Sequence, residues 1–319
     1  MDQSLLSSRA IVGIYYASME IEAGTSWLDG ISNSFGSDQA SETYVFLGQS
    51  PAFRKWLGGR QAKGFSGQGI TIFNDHYEST IEIRKTDARR DKTGQIMARM
   101  GEWGQRGQTH WASLVSDLIV NGAAQACYDG QYFYSTTHSE GSSGTQSNKI
   151  NCDISEYPCT LHGSVANPSV EEMQHAIIDA IVKILSFKDD RGEPMNENAN
   201  SFLVMVPLGL MKVARGAVSG LTPSMLPQNL NPNAFADFKV RVAVNVRLTT
   251  AGWTDKFTVN REDSPIKPFI RQTEQEVELK VKAEGSEYEF DNDAWQFGLD
   301  GWRGAGYGYW QRSVHCTLI

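Results

Sequence analysis

The chain has 319 residues, of which 29 are basic and 37 acidic, so its formal net charge is −8. A chain of this length can bury a substantial core and hold two domains or one elaborated domain. Its hydrophobic content of 40% is that of a globular protein and not of a disordered one. The acidic balance disfavours extensive direct binding to nucleic acid, because neutralising phosphates requires a surplus of basic side chains.

The sequence carries no obvious targeting or redox signal. Met1 to Ser8 lacks a basic run followed by an apolar one, which is the pattern of a signal peptide, and no apolar stretch has the length of a membrane span. We therefore expect a soluble product made in the cytoplasm. Four cysteines are too few for a disulfide scaffold at this length, so we expect reduced thiols at Cys127, Cys152, Cys159 and Cys316.

Residues 1–43 give no strong core signal. The pattern from Ser7 to Glu22 is compatible with a helix, whereas Gly24 to Ser41 is polar and rich in glycine and serine. We expect this region to be an arm that gains its order from contacts elsewhere.

The clearest strand signal lies between Ile70 and Lys85. Isoleucines alternate with polar residues in two runs, at Ile70, Ile72, Ile81 and Ile83. Asn74-Asp75 supplies turn chemistry between the runs, so the pattern predicts a β-hairpin. The apolar face of this hairpin is too small to be stable alone. The hairpin must therefore lie on another surface, for which a partner subunit is a candidate.

A long helix is predicted from Thr93 to Val120, because apolar residues there recur at three- and four-residue spacings. Three glycines interrupt it, and each weakens a helix by roughly 1 kcal/mol relative to alanine. Gly101, Gly104 and Gly107 therefore indicate a bend or a close backbone contact with a neighbour.

The middle of the chain mixes helices and strands, and the end is rich in strands. The pattern predicts a helix from Ser169 to about Phe187, a buried strand from Phe202 to Val206 and a helix from Pro207 to about Ala217. Later strands are predicted at Val240 to Val246, Lys256 to Val259, Phe269 to Gln272, Glu276 to Lys282 and Trp295 to Leu299.

One group of residues is a candidate metal site. Cys152, Cys159 and His162, with Cys127 or His138 as a fourth ligand, could suggest zinc. Their spacing departs from that of structural zinc sites, in which paired ligands usually lie two to four residues apart. Buried thiols beside a solvated histidine are therefore the favoured interpretation. No nucleotide-binding, hydrolase or metalloprotease motif occurs in the sequence, so we predict no catalytic residue and no cofactor.

A basic cluster follows the second isoleucine run, at Arg84, Lys85, Arg89, Arg90 and Lys92. Two interpretations stay open. The cluster is a solvated bend, since Asp87 and Asp91 are interspersed, or it is a contact that meets an acidic surface on the next copy and sets its register.

Several short motifs together resemble those of the Mu-like phage major head subunit. They are Leu47-Gly48-x-x-Pro51-x-Phe53-x-x-Trp56-x-Gly58-x-Arg60, Cys127-Tyr128-Asp129-Gly130-Gln131-x-Phe133, Thr137-His138 and Gly306-Tyr307-Gly308-Tyr309-Trp310-Gln311. The resemblance is strongest over residues 44–138 and over about the last twenty, and it is faint between about 140 and 290.

This resemblance implies an α+β, HK97-like capsid fold. It divides the chain into an N-terminal arm (1–43), a lead-in segment (44–60), an extended hairpin loop (61–92), a peripheral domain with a long spine helix (93–139), an axial domain (140–265) and returning peripheral strands (266–319). The order of elements found from the residues alone is the same.

The function implied is that of a structural major capsid protein and not of an enzyme. Copies would form the hexamers and pentamers of an icosahedral head that encloses double-stranded DNA without sequence-specific binding. Further implied partners are a scaffold or protease, a portal and decoration proteins, with no membrane. The implied location is the virion capsid, assembled in the host cytoplasm.

We expect intersubunit contacts at Ile70, Ile72, Ile81, Ile83, Arg84, Lys85, Arg89, Arg90 and Lys92. The alternatives are a non-viral nanocompartment shell of similar fold and a cytoplasmic metal-dependent enzyme built on the Cys/His group. A tail or baseplate component is a third alternative, less consistent with a long helix after the hairpin.

Overall fold

The computed structural model describes residues 7–19, 25–46, 68–91, 93–219, 235 and 237–319. The helices of these residues are α1 (Ser8–Met19), α2 (Trp27–Ile31), α3 (Lys85–Arg90), α4 (Gln95–Asn121), α5 (Val170–Leu185), α6 (Met211–Ser219), α7 (Val246–Thr250) and α8 (Glu287–Asn292). The strands are β1 (Ser32–Gly36), β2 (Ser41–Phe46), β3 (Gln68–Phe73), β4 (Asp75–Arg84), β5 (Lys149–Cys152), β6 (Ser201–Val206), β7 (Lys239–Val244), β8 (Lys256–Arg261), β9 (Phe269–Lys282), β10 (Ala294–Tyr307) and β11 (Ser313–Leu318). Short 3₁₀ turns lie at Ile154–Glu156, Leu208–Leu210 and Trp310–Arg312.

A four-stranded sheet with the order β1-β9-β10-β4 forms one part of the molecule. Its two long strands, β9 and β10, are antiparallel, and β1 joins the edge of β9 in parallel. The long helix α4 packs on this sheet together with α1. A small apolar core fills the space between them and contains Tyr15 of α1, Trp103 of α4 and Phe297 of β10.

A five-stranded sheet with the order β5-β11-β8-β6-β7 forms the second part. Strand β6, which lies between β8 and β7, is apolar at five consecutive positions, Phe202 to Val206, and all five side chains are buried. Helix α5 packs against this sheet. Ser169 caps α5 in a capping box, accepting the Glu172 backbone N–H while the Glu172 carboxylate accepts the Ser169 N–H.

The predicted hairpin about Asn74 and Asp75 is wrong. Strand β3 pairs with β2, with Ile70 opposite Tyr44, whereas β4 pairs with β10, with Ile83 opposite Trp295. The chain passes from a two-stranded ribbon directly into the four-stranded sheet. Asn74 fixes this junction, because its side-chain amide donates to the Gln39 carbonyl oxygen at 2.7 Å. The alternation of isoleucines identified both strands correctly but contained no information on which strand pairs with which.

The ribbon β2–β3 therefore begins at Ser41, before the predicted loop range of 61–92. Its two strands flank residues 47–67, which lie outside the described residues, as does Lys92. The resemblance motif from Leu47 to Arg60 falls in the same segment.

The predicted long helix is confirmed, with ends at Gln95 and Asn121. A Cβ atom at Gly104 would lie 3.3 Å from the Tyr15 ring and would overlap the Ser18 hydroxyl. The glycine therefore permits a close contact with a neighbouring helix, and that helix is α1 of the same chain. The helix expected between Ser7 and Glu22 is also confirmed, as α1.

The arm is more structured than its polar composition suggested. Trp27, Leu28 and Ile31 of α2 are buried in the larger apolar core, and β1 adds a strand to the sheet. The two strands expected at Phe269 to Gln272 and Glu276 to Lys282 are one continuous strand, β9. Among the residues described, no helix combines the length and apolar character needed to cross a bilayer.

Candidate assembly surface

Two short helices of opposite charge lie together at one end of the four-stranded sheet. Helix α3 follows β4 directly, and α8 lies in the connection from β9 to β10. The Lys85 ammonium of α3 lies 2.8 Å from the Glu289 carboxylate of α8. The Lys85 backbone N–H donates to the Asp293 carbonyl oxygen at 3.0 Å. These two contacts fix α3 and α8 relative to each other.

Glu289 is the centre of this junction. Besides Lys85, it accepts hydrogen bonds from the Gly285 backbone N–H at 2.7 Å and from the Trp295 indole N–H at 3.2 Å. The hydrogen bond from Lys85, followed by those from Gly285 and Trp295, lowers the pKa of Glu289 to about 2. The carboxylate is therefore ionised throughout the neutral range, and the junction is held by charge-assisted hydrogen bonds.

The basic side of this surface consists of three arginines. Arg84, Arg89 and Arg90 are exposed, and none forms an ion pair with another described residue. Lys85 belongs to the same run in sequence but points its charge into the α3–α8 junction, where Glu289 and Asp293 raise its pKa. The arginines are thus the part of the predicted basic cluster that remains available to a second molecule.

The acidic side lies on α8, which buries none of its own side chains. Glu287 and Asp291 are exposed, and the Asp293 side chain at its end is 68% exposed. Between them Phe290 is 91% exposed, the highest value of any large apolar side chain in the described part of the chain. Aromatic side chains are enriched at protein–protein contacts, which makes the exposed Phe290 ring a candidate contact for a second molecule.

The four isoleucines expected at an intersubunit contact pack within the subunit. Ile72 and Ile83 are only 4% and 6% exposed, so they have little surface left for a neighbour, and that expectation is corrected for these two. Ile70 and Ile81 are half-buried against the same cores. The reason is physical: an apolar face must be covered, but its sequence pattern does not say whether the cover comes from the same chain.

Sequence reasoning also missed the acidic half of the surface. Its only signal was the short run Glu287-Tyr288-Glu289-Phe290-Asp291-Asn292, in which one large apolar residue stands among carboxylates directly after Gly285-Ser286.

The residues considered for zinc are used in separate local contacts. His162 lies 2.9 Å from the Glu172 carboxylate at the start of α5, and the buried His138 ring stacks on Trp310 with centroids 4.0 Å apart. Cys152 is buried in β5, and burial raises the pKa of the Cys159 thiol to about 11. Within the described ranges, no group of three or more His, Cys, Asp or Glu side chains is arranged to hold a metal ion.

An arm and a ribbon, a long helix across a four-stranded sheet, and a second mixed domain define the HK97-like class of capsid subunits. The fold is similar to that of the protein in the procapsid of bacteriophage JBD30. The comparison covers 97% of this chain and 73% of that one, with a TM-score of 0.53 and 20% sequence identity. The predicted α+β capsid fold is thereby confirmed.

The family model for the Mu-like prophage major head subunit gpT matches residues 11–159 and 237–317, well over half of the chain. The chain belongs to this family. Two relatives are similar in sequence: the Mu-like prophage FluMu major head subunit of Haemophilus influenzae, 35% identical over 105 residues, and the major capsid protein of Escherichia phage Mu, 30% identical over 118 residues.

The matched stretches span 34% and 39% of those two relatives, and 33% and 37% of this chain. The resemblance seen in the short motifs is confirmed by the family membership.

Proposed function

We propose that this chain is the major capsid protein of a tailed phage or Mu-like prophage. Its copies close into the hexamers and pentamers of an icosahedral head that encloses double-stranded DNA. Two observations support the proposal. The family model matches residues 11–159 and 237–317, and the fold similarity to the JBD30 procapsid protein covers 97% of this chain.

The α3–α8 end of the sheet supports a head-to-tail contact between copies. One rigid end carries the outward arginines Arg89 and Arg90 and also the carboxylates of Glu287 and Asp291. The arginines of one copy can meet the carboxylates of the next, and a head-to-tail contact of this kind, between two different patches, generates a ring where the rotation closes. Arginine suits this role, because its planar fork binds a carboxylate through two hydrogen bonds.

The ribbon β2–β3 supplies a second element for assembly. The segment between its strands, residues 47–67, contains Arg54, Lys55, Arg60 and Lys63 and no aspartate or glutamate. This composition favours an acidic surface as its partner, and the acidic net charge of the chain makes another copy a suitable one.

The remaining partners follow from the same proposal. They are a scaffold or protease, a portal, decoration proteins and packaged double-stranded DNA, and the location is the virion capsid. The net charge of −8 is compatible with a shell wall that holds DNA weakly and without sequence preference.

Sedimentation tests the proposal. The chain is expressed alone and with a candidate scaffold protein, and the lysate is separated on a sucrose gradient. The expected result is that the 35.3 kDa chain sediments as particles, and that particles from a productive infection hold nuclease-protected DNA. A chain found only as a slowly sedimenting monomer under these conditions would overturn the proposal.

A further inference from the structure

A cavity of about 200 Å³ lies between α4 and the four-stranded sheet. Polar and aromatic side chains of β4, α4 and β10 line it, among them Tyr77, Ser79, Trp103, Arg106, His110 and Arg303. The cavity exists partly because Gly107 has no side chain: the nearest atom to a Cβ built there is Leu299 Cδ1, at 3.5 Å.

Arg303 is the unusual member of this lining. Its side chain is only 3% exposed. Its Nε and Nη1 atoms are buried and have no hydrogen-bond partner among the residues the structure describes. The nearest carboxylate, that of the largely exposed Glu276, lies 3.8 Å from Nη2, which is beyond hydrogen-bond distance. A buried guanidinium with unsatisfied donors is costly, so such a group normally has an anionic partner.

The guanidinium of Arg303 is held in place by an aromatic ring. Its Cζ atom lies 4.5 Å from the centroid of the Trp111 ring, within the range of a cation–π contact. Arg271 approaches the same ring at 5.9 Å, and its buried Nε likewise has no hydrogen-bond partner in the described part of the chain. Burial lowers the pKa of Arg303, but a guanidinium remains protonated at neutral pH.

The other charged groups of the lining have partners of their own. Arg106 donates to the Glu102 carboxylate at 2.9 Å. Asp300 binds Lys280 and His76, and Glu78 accepts a hydrogen bond from Thr80.

His110 adds no charge to the lining at neutral pH, since burial, followed by the charge of Arg303, lowers its pKa. Within the described lining, Arg303 is therefore the cation whose charge is not matched by a hydrogen-bonded carboxylate.

We propose that this cavity binds one oxyanion, a carboxylate or a phosphate group, through one two-donor edge of the Arg303 guanidinium, either Nε with Nη2 or Nη1 with Nη2. The fork of an arginine matches the oxygen spacing of both groups. The volume of about 200 Å³ is below the roughly 300–1,000 Å³ of pockets for cofactors and drug-sized molecules, so the ligand is a single small group. The oxyanion comes from one of two sources, a carboxylate side chain of a neighbouring copy or free phosphate. The first source rests on the proposed function.

Thermal unfolding of the unassembled full-length chain tests the site. The midpoint is measured in inorganic phosphate and in chloride at equal ionic strength, for the parent and for Arg303→Gln. Phosphate also stabilises proteins generally by exclusion from their surface, so the deciding quantity is the difference between the two shifts. We expect phosphate to raise the parent midpoint by roughly 2 °C or more beyond the shift of Arg303→Gln.

Arg99→Gln is the matched control. It removes an equal charge from an 81% exposed position on α4, outside the lining of the cavity, and we expect it to keep the parent's phosphate shift. Gly107→Val fills the cavity and leaves Arg303 in place, so we expect this variant to lose the phosphate shift. It replaces Arg303→Gln in the test if that variant does not fold. A parent without any phosphate shift, or equal shifts in the parent and both cavity variants, would overturn the proposal.

The same measurement on assembled particles separates the two sources. If a neighbouring copy supplies the carboxylate, the phosphate shift disappears on assembly. If free phosphate is the ligand, the shift persists in the particle. The measurement on unassembled chains does not depend on shell formation, so the oxyanion site and the capsid function can fail independently.

Discussion

Gly306 of β10 lies directly against Ile72 of β3: a Cβ atom at Gly306 would come within 2.5 Å of the Ile72 Cδ1 atom. This contact joins the ribbon β2–β3 to the four-stranded sheet, and it buries Ile72 to 4% exposure. The ribbon is thus anchored to its own subunit at its base.

Gly306→Ala is therefore expected to destabilise the subunit. The added methyl forces a shift of Ile72 or of the strand, and overpacking of this kind typically costs about 1–3 kcal/mol. Urea denaturation of the unassembled chain measures the loss. Gly36→Ala in β1 is the control, because a Cβ there meets nothing within 4 Å. If both variants unfold at the same urea concentration, the close contact does not exist in solution.

A second prediction concerns acid stability. Burial, followed by the charges of Lys149 and Lys256, lowers the pKa of His315 to about 3, from an ordinary value of about 6.5. Between these two values the unfolded chain binds more protons than the folded one. The contribution of His315 to stability is therefore complete above about pH 6.5 and is lost as the pH falls toward 3, by up to about 1.4 kcal/mol per unit.

His315→Gln is expected to make the free energy of unfolding fall less steeply between pH 6 and pH 4, as measured by denaturant titrations at each pH. Val314→Ala, at a buried position in the same strand, lowers stability without removing a titratable group. It should keep the parent's slope. An unchanged slope in His315→Gln would show that His315 is not buried in its neutral form.

A third prediction concerns the start of α5. The Ser169 hydroxyl accepts the Glu172 backbone N–H at 3.1 Å, and loss of such a cap costs about 1 kcal/mol. Ser169→Ala should lower the unfolding free energy by about that amount. Ser186→Ala, at the exposed end of the same helix, is the control and should change it by less than about 0.5 kcal/mol. Equal effects would mean that the capping box does not contribute.

Local patterns in the sequence were sufficient for most elements. Apolar residues at helical spacing predicted α4 within two residues of its observed ends, Gln95 and Asn121. The five apolar residues from Phe202 to Val206 predicted β6, because a short continuous apolar run is typical of a strand buried on both faces. These elements depend on residues close together in the chain.

What the sequence did not show depends on residues far apart in it. Lys85 looked like one more member of a basic cluster, because nothing near it indicates that Glu289 binds its ammonium. The partner of β3 was missed because β2 lies beyond the segment 47–67 and has the composition of a polar arm. Likewise, the unpaired donors of Arg303 are apparent only when β10 and α4 are seen together.

The most direct test of the account is electron microscopy of four proteins expressed under shell-forming conditions. They are the parent, Arg89→Glu/Arg90→Glu, Glu287→Lys/Asp291→Lys and the combined quadruple variant. All four positions are exposed, so each monomer should remain folded, which circular dichroism checks. One exposed ion pair is weak, at about 0.2–1 kcal/mol, but the contact recurs at every subunit of a shell.

We predict uniform closed shells for the parent and at least a roughly tenfold lower yield for each double reversal, because like charges then face each other across the contact. The quadruple variant should recover shells, since its charges are opposite again. Parental yields from Arg89→Glu/Arg90→Glu would contradict the proposed contact, and a parent that forms no particles at all would contradict the capsid function itself.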